Sequence, residues 1–134
     1  MSRENVEIVR RVFEGTNRRE WDAVMAAYSR DIEWDDRDLR PEGAIHRGTE
    51  AMRAEMRAWF GTWSNYRQEI EEIVDAGEQV VVVVRESGEG KGSGAAMDQR
   101  IGVLVTLRAG LIVGTTLYRE PKDALEAAGL ERSG

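Results

Sequence analysis

Two polar residues lie in strand-like, apolar stretches, where they could do chemistry in a pocket. Arg85 follows the five valines of residues 80–84, and a charge there needs either water or a partner. If it points inward, it could hold a carboxylate or enolate oxygen by charge-assisted hydrogen bonds. An unbroken valine run has no alternation from which to choose a side, so solvent exposure near the hairpin end stays an equal alternative. Gln99 shares strand parity with Ile101, Val103 and Val105, which predicts either a polar group near a cavity mouth or a solvent-facing residue beyond it.

The remaining polar candidates lie in loops. His46 is the only histidine and could act as an acid or base near neutral pH, although packing or hydrogen bonding at a turn is the favoured interpretation. A single histidine without a helical partner has no metal-binding pattern, so neither a metal nor a cofactor is predicted. Asp36 belongs to the run Asp35-Asp36-Arg37-Asp38, which by itself is typical of a solvated acidic loop.

Large apolar side chains are numerous enough to line a pocket for a small hydrophobic molecule. Ligand pockets are mostly apolar with few polar groups, and core packing is the alternative role for each residue singly. The candidates are Tyr28, Trp34, Met52, Met56, Trp59 and Trp63.

Helical spacing dominates the first half of the chain. Val6, Val9, Val12 and Phe13 predict an amphipathic helix over residues 3–16 with Ser2 as its cap. A shorter helix is predicted over residues 21–28. Residues 32–34 form a short predicted strand, residues 35–47 a loop, and a third helix follows from a cap at Thr49.

The second half changes to a strand pattern. Strands are predicted over residues 66–74, 79–86, 97–107 and 111–118, with a glycine-rich hairpin tip at residues 87–94. Pro121 begins a last helix, which Gly129 ends. Segregated helices and strands predict an α+β fold, in which a curved antiparallel sheet carries three helices on its concave face and encloses a cavity.

Composition narrows the class of protein. The 134 residues fit one domain spanning residues 1–134. A net charge of -6 disfavours nucleic-acid binding, and the absence of cysteine excludes disulfides and thiolate sites. Without an apolar stretch of membrane-spanning length, we expect no membrane partner and a cytoplasmic location.

Several segments, in this order, resemble the SnoaL-like branch of the NTF2-like superfamily. Residues 30–34 are similar to its first strand, and residues 46–52 to the turn into its third helix. Residues 71–78, followed by the valines, resemble its first long hairpin. Residues 92–94 and 124–130 resemble a later strand entry and its C-terminal signature. Together they cover nearly the whole chain and imply a cone-shaped fold with a short C-terminal helix.

The resemblance also implies roles for individual residues. By similarity to ketosteroid isomerase, Asp36 lies near the aspartate that abstracts a proton beside a carbonyl. The tyrosine and the protonated aspartate of that enzyme are replaced here by Val12 and Val103. Trp34 and Trp63 are implied as pocket walls.

Two classes of function therefore stay open. One is acid-base chemistry on a hydrophobic carbonyl metabolite. The other is a ligand-binding or interaction protein without catalysis. In both, the resemblance implies a homodimer through the open sheet face.

Overall fold

The computed structural model describes residues 2–130 of the chain. Four helices and six strands follow one another in the order α1 (Ser2–Arg18), α2 (Trp21–Ala26), β1 (Tyr28–Asp35), β2 (Ile45–Arg47), α3 (Thr49–Thr62), β3 (Trp63–Ala76), β4 (Gln79–Gly90), β5 (Ala96–Arg108), β6 (Leu111–Tyr118) and α4 (Pro121–Ala127). Within these residues, no helix is both long and apolar enough to cross a membrane.

The strands form one curved, unclosed sheet in the order β2-β1-β6-β5-β4-β3. The α+β class, with α1, α2 and α3 on the concave side and a short C-terminal helix, is confirmed. The four long strands pair antiparallel as predicted. In addition, β1 pairs with β6 in parallel, with Trp34 beside Thr115.

Two predicted boundaries near the start of the sheet are also wrong. Tyr28, expected to end the second helix, instead begins β1 and pairs with Ile112, so strand pairing overrides the local helical pattern. Residues 45–47, expected in a loop, form β2 against β1, with His46 opposite Trp34. Ser2 is the first described residue of α1 instead of its cap.

The valine run of β4 is buried on both of its faces. Val80, Val82 and Val84 belong to the main core on the concave side of the sheet. Val81 packs on the convex side with Leu104 of β5, under Ala124 and Leu125 of α4. Because both faces are apolar, the strand shows no alternation in its sequence.

Helix α1 is attached along β3, an edge strand of the sheet. Asn17 Nδ2 donates to the carbonyl of Gln68 at 2.6 Å, and the Gln68 amide donates to Asn17 Oδ1 at 2.8 Å. Near the other end of the helix, Asn5 Nδ2 donates to the carbonyl of Gly77 at 3.1 Å. These bonds satisfy backbone groups of the edge strand and of the turn that follows it, and they hold α1 over the concave face.

Candidate functional site

A cavity lies between the concave face of the sheet and helices α1 and α3. The centre of a water-sized molecule can occupy about 80 Å³ of it. Most of its wall is aliphatic or aromatic, as expected of a site for a small organic molecule. The polar exceptions are Thr16, Arg40, Glu55, Tyr66, Gln68, Glu86 and Thr115.

Glu86 is the most deeply buried carboxyl group on this wall. Its residue is 2% exposed and lies two residues after the valine run of β4. The Tyr66 hydroxyl donates to Glu86 Oε2 at 2.5 Å, and Gln99 Nε2 donates to Glu86 Oε1 at 2.5 Å. Gln68 Nε2 in turn donates to the Tyr66 oxygen at 3.0 Å. The carboxyl group is therefore fixed at both oxygens by side chains of β3 and β5.

Burial sets the protonation behaviour of this group. It raises the pKa of Glu86, while the hydrogen bonds from Tyr66 and Gln99 and the nearby charge of Arg40 lower it in part. Burial, with the adjoining Glu86 charge, also raises the pKa of Tyr66, so its phenol stays a hydrogen-bond donor. A carboxyl group with a raised pKa in an apolar cavity is a candidate for proton transfer.

Strand register explains why Glu86 reaches the cavity. In the β4–β5 hairpin Glu86 pairs with Gln99 and Val84 pairs with Ile101, so all four side chains lie on one face. Glu86 was not among the candidates predicted from the sequence. The strand parity that Gln99 shares with Ile101, Val103 and Val105 is a signal for it, because the hairpin register places Glu86 opposite Gln99.

Arg85 lies on the other face of the sheet, which corresponds to the solvent-exposed alternative of the two left open for it. Its side chain is 49% exposed. Nε donates to Asp98 Oδ1 at 2.8 Å and Nη2 donates to Asp98 Oδ2 at 2.7 Å. Successive side chains of a strand point to opposite faces, so only one of Arg85 and Glu86 can face the cavity. Gln99 does not itself line the cavity formed by the described residues, but it holds Glu86 there.

Asp36 is buried, at 1% exposure, yet it lies behind the cavity wall that the described residues form. Arg40 Nη2 donates to Asp36 Oδ2 at 2.8 Å, and the Ala44 amide donates to Oδ1 at 2.8 Å. His46 Nε2 lies 3.3 Å from the same Oδ1, so His46 hydrogen-bonds close to the turn into α3. The acidic loop is therefore not solvated at Asp36. Both oxygens of the Asp36 carboxylate are hydrogen-bonded to protein groups.

Arg40 links this buried carboxylate to the cavity. It lines the wall, pairs with Glu55 of α3 as well as with Asp36, and its guanidinium lies 5.1 Å from the Trp59 ring centroid. Ligand atoms of Asp36, His46 and Glu55 all lie within 4.8 Å of one another, a spacing that could suit a metal ion. Because the Arg40 guanidinium already supplies positive charge to both carboxylates, the cluster is explained as an ion-pair network that orients Arg40.

Six other predicted candidates line the cavity: Tyr28, Trp34, Met56, Trp59, Val103 and Val105. Tyr28 and Trp34 contact each other with ring centroids 6.5 Å apart, and burial raises the pKa of the Tyr28 phenol. Trp63 lies outside the wall that residues 2–130 form and packs against Trp59 at 5.4 Å between ring centroids.

Val12 also lines the cavity, so the two positions at which ketosteroid isomerase needs polar groups are apolar wall here. Tyr66 and Glu86 supply the polar groups from β3 and β4 instead. The polar centre of this cavity is therefore arranged differently from the one that the resemblance implied.

Comparisons with known proteins agree with this architecture. The profile of the SnoaL-like domain matches residues 9–115. A putative SnoaL-like polyketide cyclase from Jannaschia has a TM-score of 0.78 at 20% identity, with 96% of this chain and 94% of that chain covered. An NTF2-like protein from Burkholderia xenovorans has a TM-score of 0.72 at 26% identity, with coverages of 96% and 97%.

A third solved structure contains a small molecule. This protein, from Catenulispora acidiphila, has a ketosteroid isomerase-like fold and is in complex with trimethylamine. Its TM-score is 0.74 at 20% identity, with coverages of 93% and 94%. At this identity the similarity shows the fold alone. No significant match is found among curated proteins. The extent of the profile match nevertheless shows the family, and the chain belongs to the SnoaL-like domain family.

Proposed function

We propose that this protein binds a small hydrophobic carbonyl compound in its cavity and moves a proton next to the carbonyl group, with Glu86 as the acid-base residue. The observation that carries the proposal is the buried Glu86 carboxyl on a mostly apolar wall, held by Tyr66 and Gln99. No cofactor is required, because proton transfer next to a carbonyl needs only a base and a group that stabilises the enolate oxygen.

Each wall group has a role in this chemistry. Ionised Glu86 accepts the proton from the carbon beside the carbonyl and, once protonated, returns it to another atom of the enolate. The Tyr66 phenol stays protonated and orients the carboxylate. Arg40, which lines the cavity and whose charge lowers the pKa of Glu86, supplies positive charge for the developing enolate. Asp36 is then a positioning residue for Arg40 in place of the base predicted from the resemblance.

The alternative is a binding protein without catalysis. It is favoured by the apolar side chains at Val12 and Val103 and by the full engagement of both Glu86 oxygens. The Catenulispora protein, in complex with trimethylamine, is a relative in fold that binds a small molecule. Both alternatives use the same cavity, and they differ in whether bound ligand exchanges protons.

Deuterium exchange separates the alternatives without knowledge of the natural substrate. A panel of hydrophobic ketones is first tested for binding by quenching of tryptophan fluorescence, since Trp34 and Trp59 line the cavity. Bound ketones are then incubated in D2O, and deuterium uptake next to the carbonyl is measured by mass spectrometry. We expect catalysed exchange by the wild type and a loss of about 100-fold or more in Glu86→Gln, the usual scale for removing a general base.

Two further variants sharpen this test. Glu69→Gln, an exposed glutamate on β3, should exchange like the wild type. Asp36→Asn should lose less activity than Glu86→Gln, because it acts only through Arg40. Saturable ketone binding combined with exchange at the uncatalysed rate would establish the binding protein instead.

We also propose that two copies associate through the convex sheet face. Helix α4 covers its apolar centre, but charges of both signs remain beside it on β3, β4 and β5. Arg85 pairs with Asp98, and Arg100 Nε donates to Glu71 Oε1 at 2.5 Å. A surface that carries both signs can be complementary to itself across a twofold axis, which supports an isologous dimer.

A further inference from the structure

Thr115 of β6 is a buried polar residue that the proposed chemistry does not use. It lines the cavity and is 3% exposed. Its hydroxyl oxygen is inaccessible to solvent and has no hydrogen-bond partner among residues 2–130. Buried hydroxyl groups without a partner are rare in folded proteins, since they lose their hydrogen bonds to water without replacement.

The surroundings of Thr115 do not explain a hydroxyl group. Val105 lies opposite it on β5, and Ile112 and Leu117 are its buried neighbours on β6. Valine has the same shape as threonine and would fill this position without an unpaired polar atom. The other threonine of the wall, Thr16, differs in this respect, because its hydroxyl donates to the Val12 carbonyl at 2.8 Å.

Thr115 and Glu86 lie towards opposite ends of the cavity. Glu86 pairs with Gln99 and Thr115 pairs with Val105, so the two pairs are separated along β5 by six residues (105 − 99). At about 3.3 Å per residue this is roughly 20 Å along the strand, and the curvature of the sheet shortens the direct path. The wall between them is apolar, with Ile101 and Val103 on β5.

We propose that the Thr115 hydroxyl is a second polar anchor for the ligand, which is therefore an elongated apolar molecule with an oxygen function near each end. One oxygen function lies beside Glu86, and the other exchanges a hydrogen bond with the Thr115 hydroxyl, which rotation about χ1 brings to the cavity surface. A hydroxyl group can donate or accept, so a carbonyl, hydroxyl or ether oxygen would satisfy it. The inference rests on the proposed function, because it names the substrate class for the same cavity.

Straight-chain α,ω-diols and the n-alkanols of equal length provide matched probes. A series from octanediol to tetradecanediol samples the separation of the two polar ends, and binding is measured by calorimetry. The variants are Thr115→Val, which removes only the hydroxyl group, and Thr115→Ser, which retains it. We expect Thr115→Val to weaken the best-fitting diol about tenfold, the effect of one buried hydrogen bond, and to leave the alkanol unchanged. Thr115→Ser should preserve most of the diol affinity.

A thermal unfolding measurement controls for structural damage. Thr115→Val should be at least as stable as the wild type, because it removes an unpaired buried hydroxyl. The inference is overturned if Thr115→Val binds diol and alkanol like the wild type, or if the wild type binds neither. Deuterium exchange by Glu86 is measured separately. Absence of catalysed exchange would contradict the proton-transfer proposal, whereas unchanged diol binding by Thr115→Val would contradict the Thr115 anchor.

Discussion

At the residue scale, the protonation of Glu86 links the site to stability. Burial raises the pKa of this carboxyl in the folded state above its value in the unfolded chain. The folded state therefore binds the proton more tightly, and the resulting stabilisation is complete below the unfolded pKa. It is lost as pH rises through the folded pKa, where an ionised carboxylate remains in the apolar cavity. Tyr66 and Gln99 reduce that cost by donating to both oxygens.

Asp36 shows how a buried carboxylate can orient a cavity residue without itself lining the cavity. It accepts hydrogen bonds from Arg40 and the Ala44 amide, and His46 lies beside it. Gly43 belongs to the same loop, and a Cβ built on it would lie 2.3 Å from the Asp36 carbonyl oxygen. The tight loop therefore places a buried carboxylate behind Arg40, which then faces the cavity.

The types of residue that line the cavity were easier to predict than the face of the sheet to which a given side chain points. Size, strand parity and the family resemblance predict Tyr28, Trp34, Val103 and Val105 as cavity wall, and all four line it, whereas Trp63, which the resemblance also implies, does not. Arg85 could not be placed, because the five valines before it are buried on both faces and carry no alternation. The pairing of β4 with β5 decides on which face of the sheet Arg85 lies. The register of this pairing depends on which residues form the turn of the hairpin.

At the element scale, the close contact between β5 and α4 determines how the convex face is covered. A Cβ built on Gly102 would lie 2.8 Å from both Pro121 Cα and Ala124 Cβ. Only glycine therefore allows α4 to pack directly on the strand. This contact places Ala124 and Leu125 over Val81 and Leu104.

We expect Gly102→Ala to lower the free energy of unfolding by about 1–3 kcal/mol, the usual cost of overpacking a close-packed site. Urea denaturation followed by circular dichroism measures it. Gly61→Ala is the matched control, because a Cβ at this position of α3 meets nothing within 4 Å. That variant should keep or slightly raise stability, by up to about 0.5 kcal/mol. Equal stability of Gly102→Ala and the wild type would show that α4 does not require this contact.

Element boundaries were predictable where the pattern is local. Strand β6 (Leu111–Tyr118) matches its predicted range, and α4 begins at Pro121 as expected. Strand β2 was missed because three residues, Ile45–Arg47, have no period of their own and are ordered by pairing with β1. The parallel pairing of β1 with β6 joins distant segments, so no local feature indicates it.

At the scale of the whole molecule, the sheet is open, and its two edge strands are protected from pairing with other sheets in different ways. Strand β2 has only three residues, while β3 has fourteen and is bonded to α1 through Asn17, with Asn5 bonded to the turn that follows β3. Short or covered edges limit uncontrolled pairing between sheets. Association through the convex face is then the remaining route to a closed assembly.

For the proposed dimer, light scattering at micromolar concentration should report twice the chain mass of 15.1 kDa. Arg85→Glu should shift the population towards the monomer, because it removes the pair with Asp98 and places like charges on the convex face. Arg53→Glu, on the exposed side of α3, should not. A wild-type mass of 15.1 kDa would contradict the dimer.

The overall fold was the most predictable property of the chain. The order of helices and strands, together with motifs spread over nearly its whole length, predicts an α+β cone and its helical side, and this fold class is confirmed. The contents of the cavity were less predictable, because Glu86, Thr115 and Arg40 are polar residues whose meaning depends on burial. Burial is decided by register and packing, which a single sequence does not display.

The central claim is that Glu86 is the titrating group of a ligand cavity, and its carboxyl can be observed directly. Carbon-13 NMR of labelled protein follows glutamate carboxyl signals across pH, and the Glu86 signal is assigned by its absence in Glu86→Gln. The account predicts a Glu86 pKa above the ordinary value of about 4.3 and a change in its titration when a quenching ketone occupies the cavity. A Glu86 carboxyl that titrates at the ordinary value, with or without bound ketone, would contradict this role of Glu86.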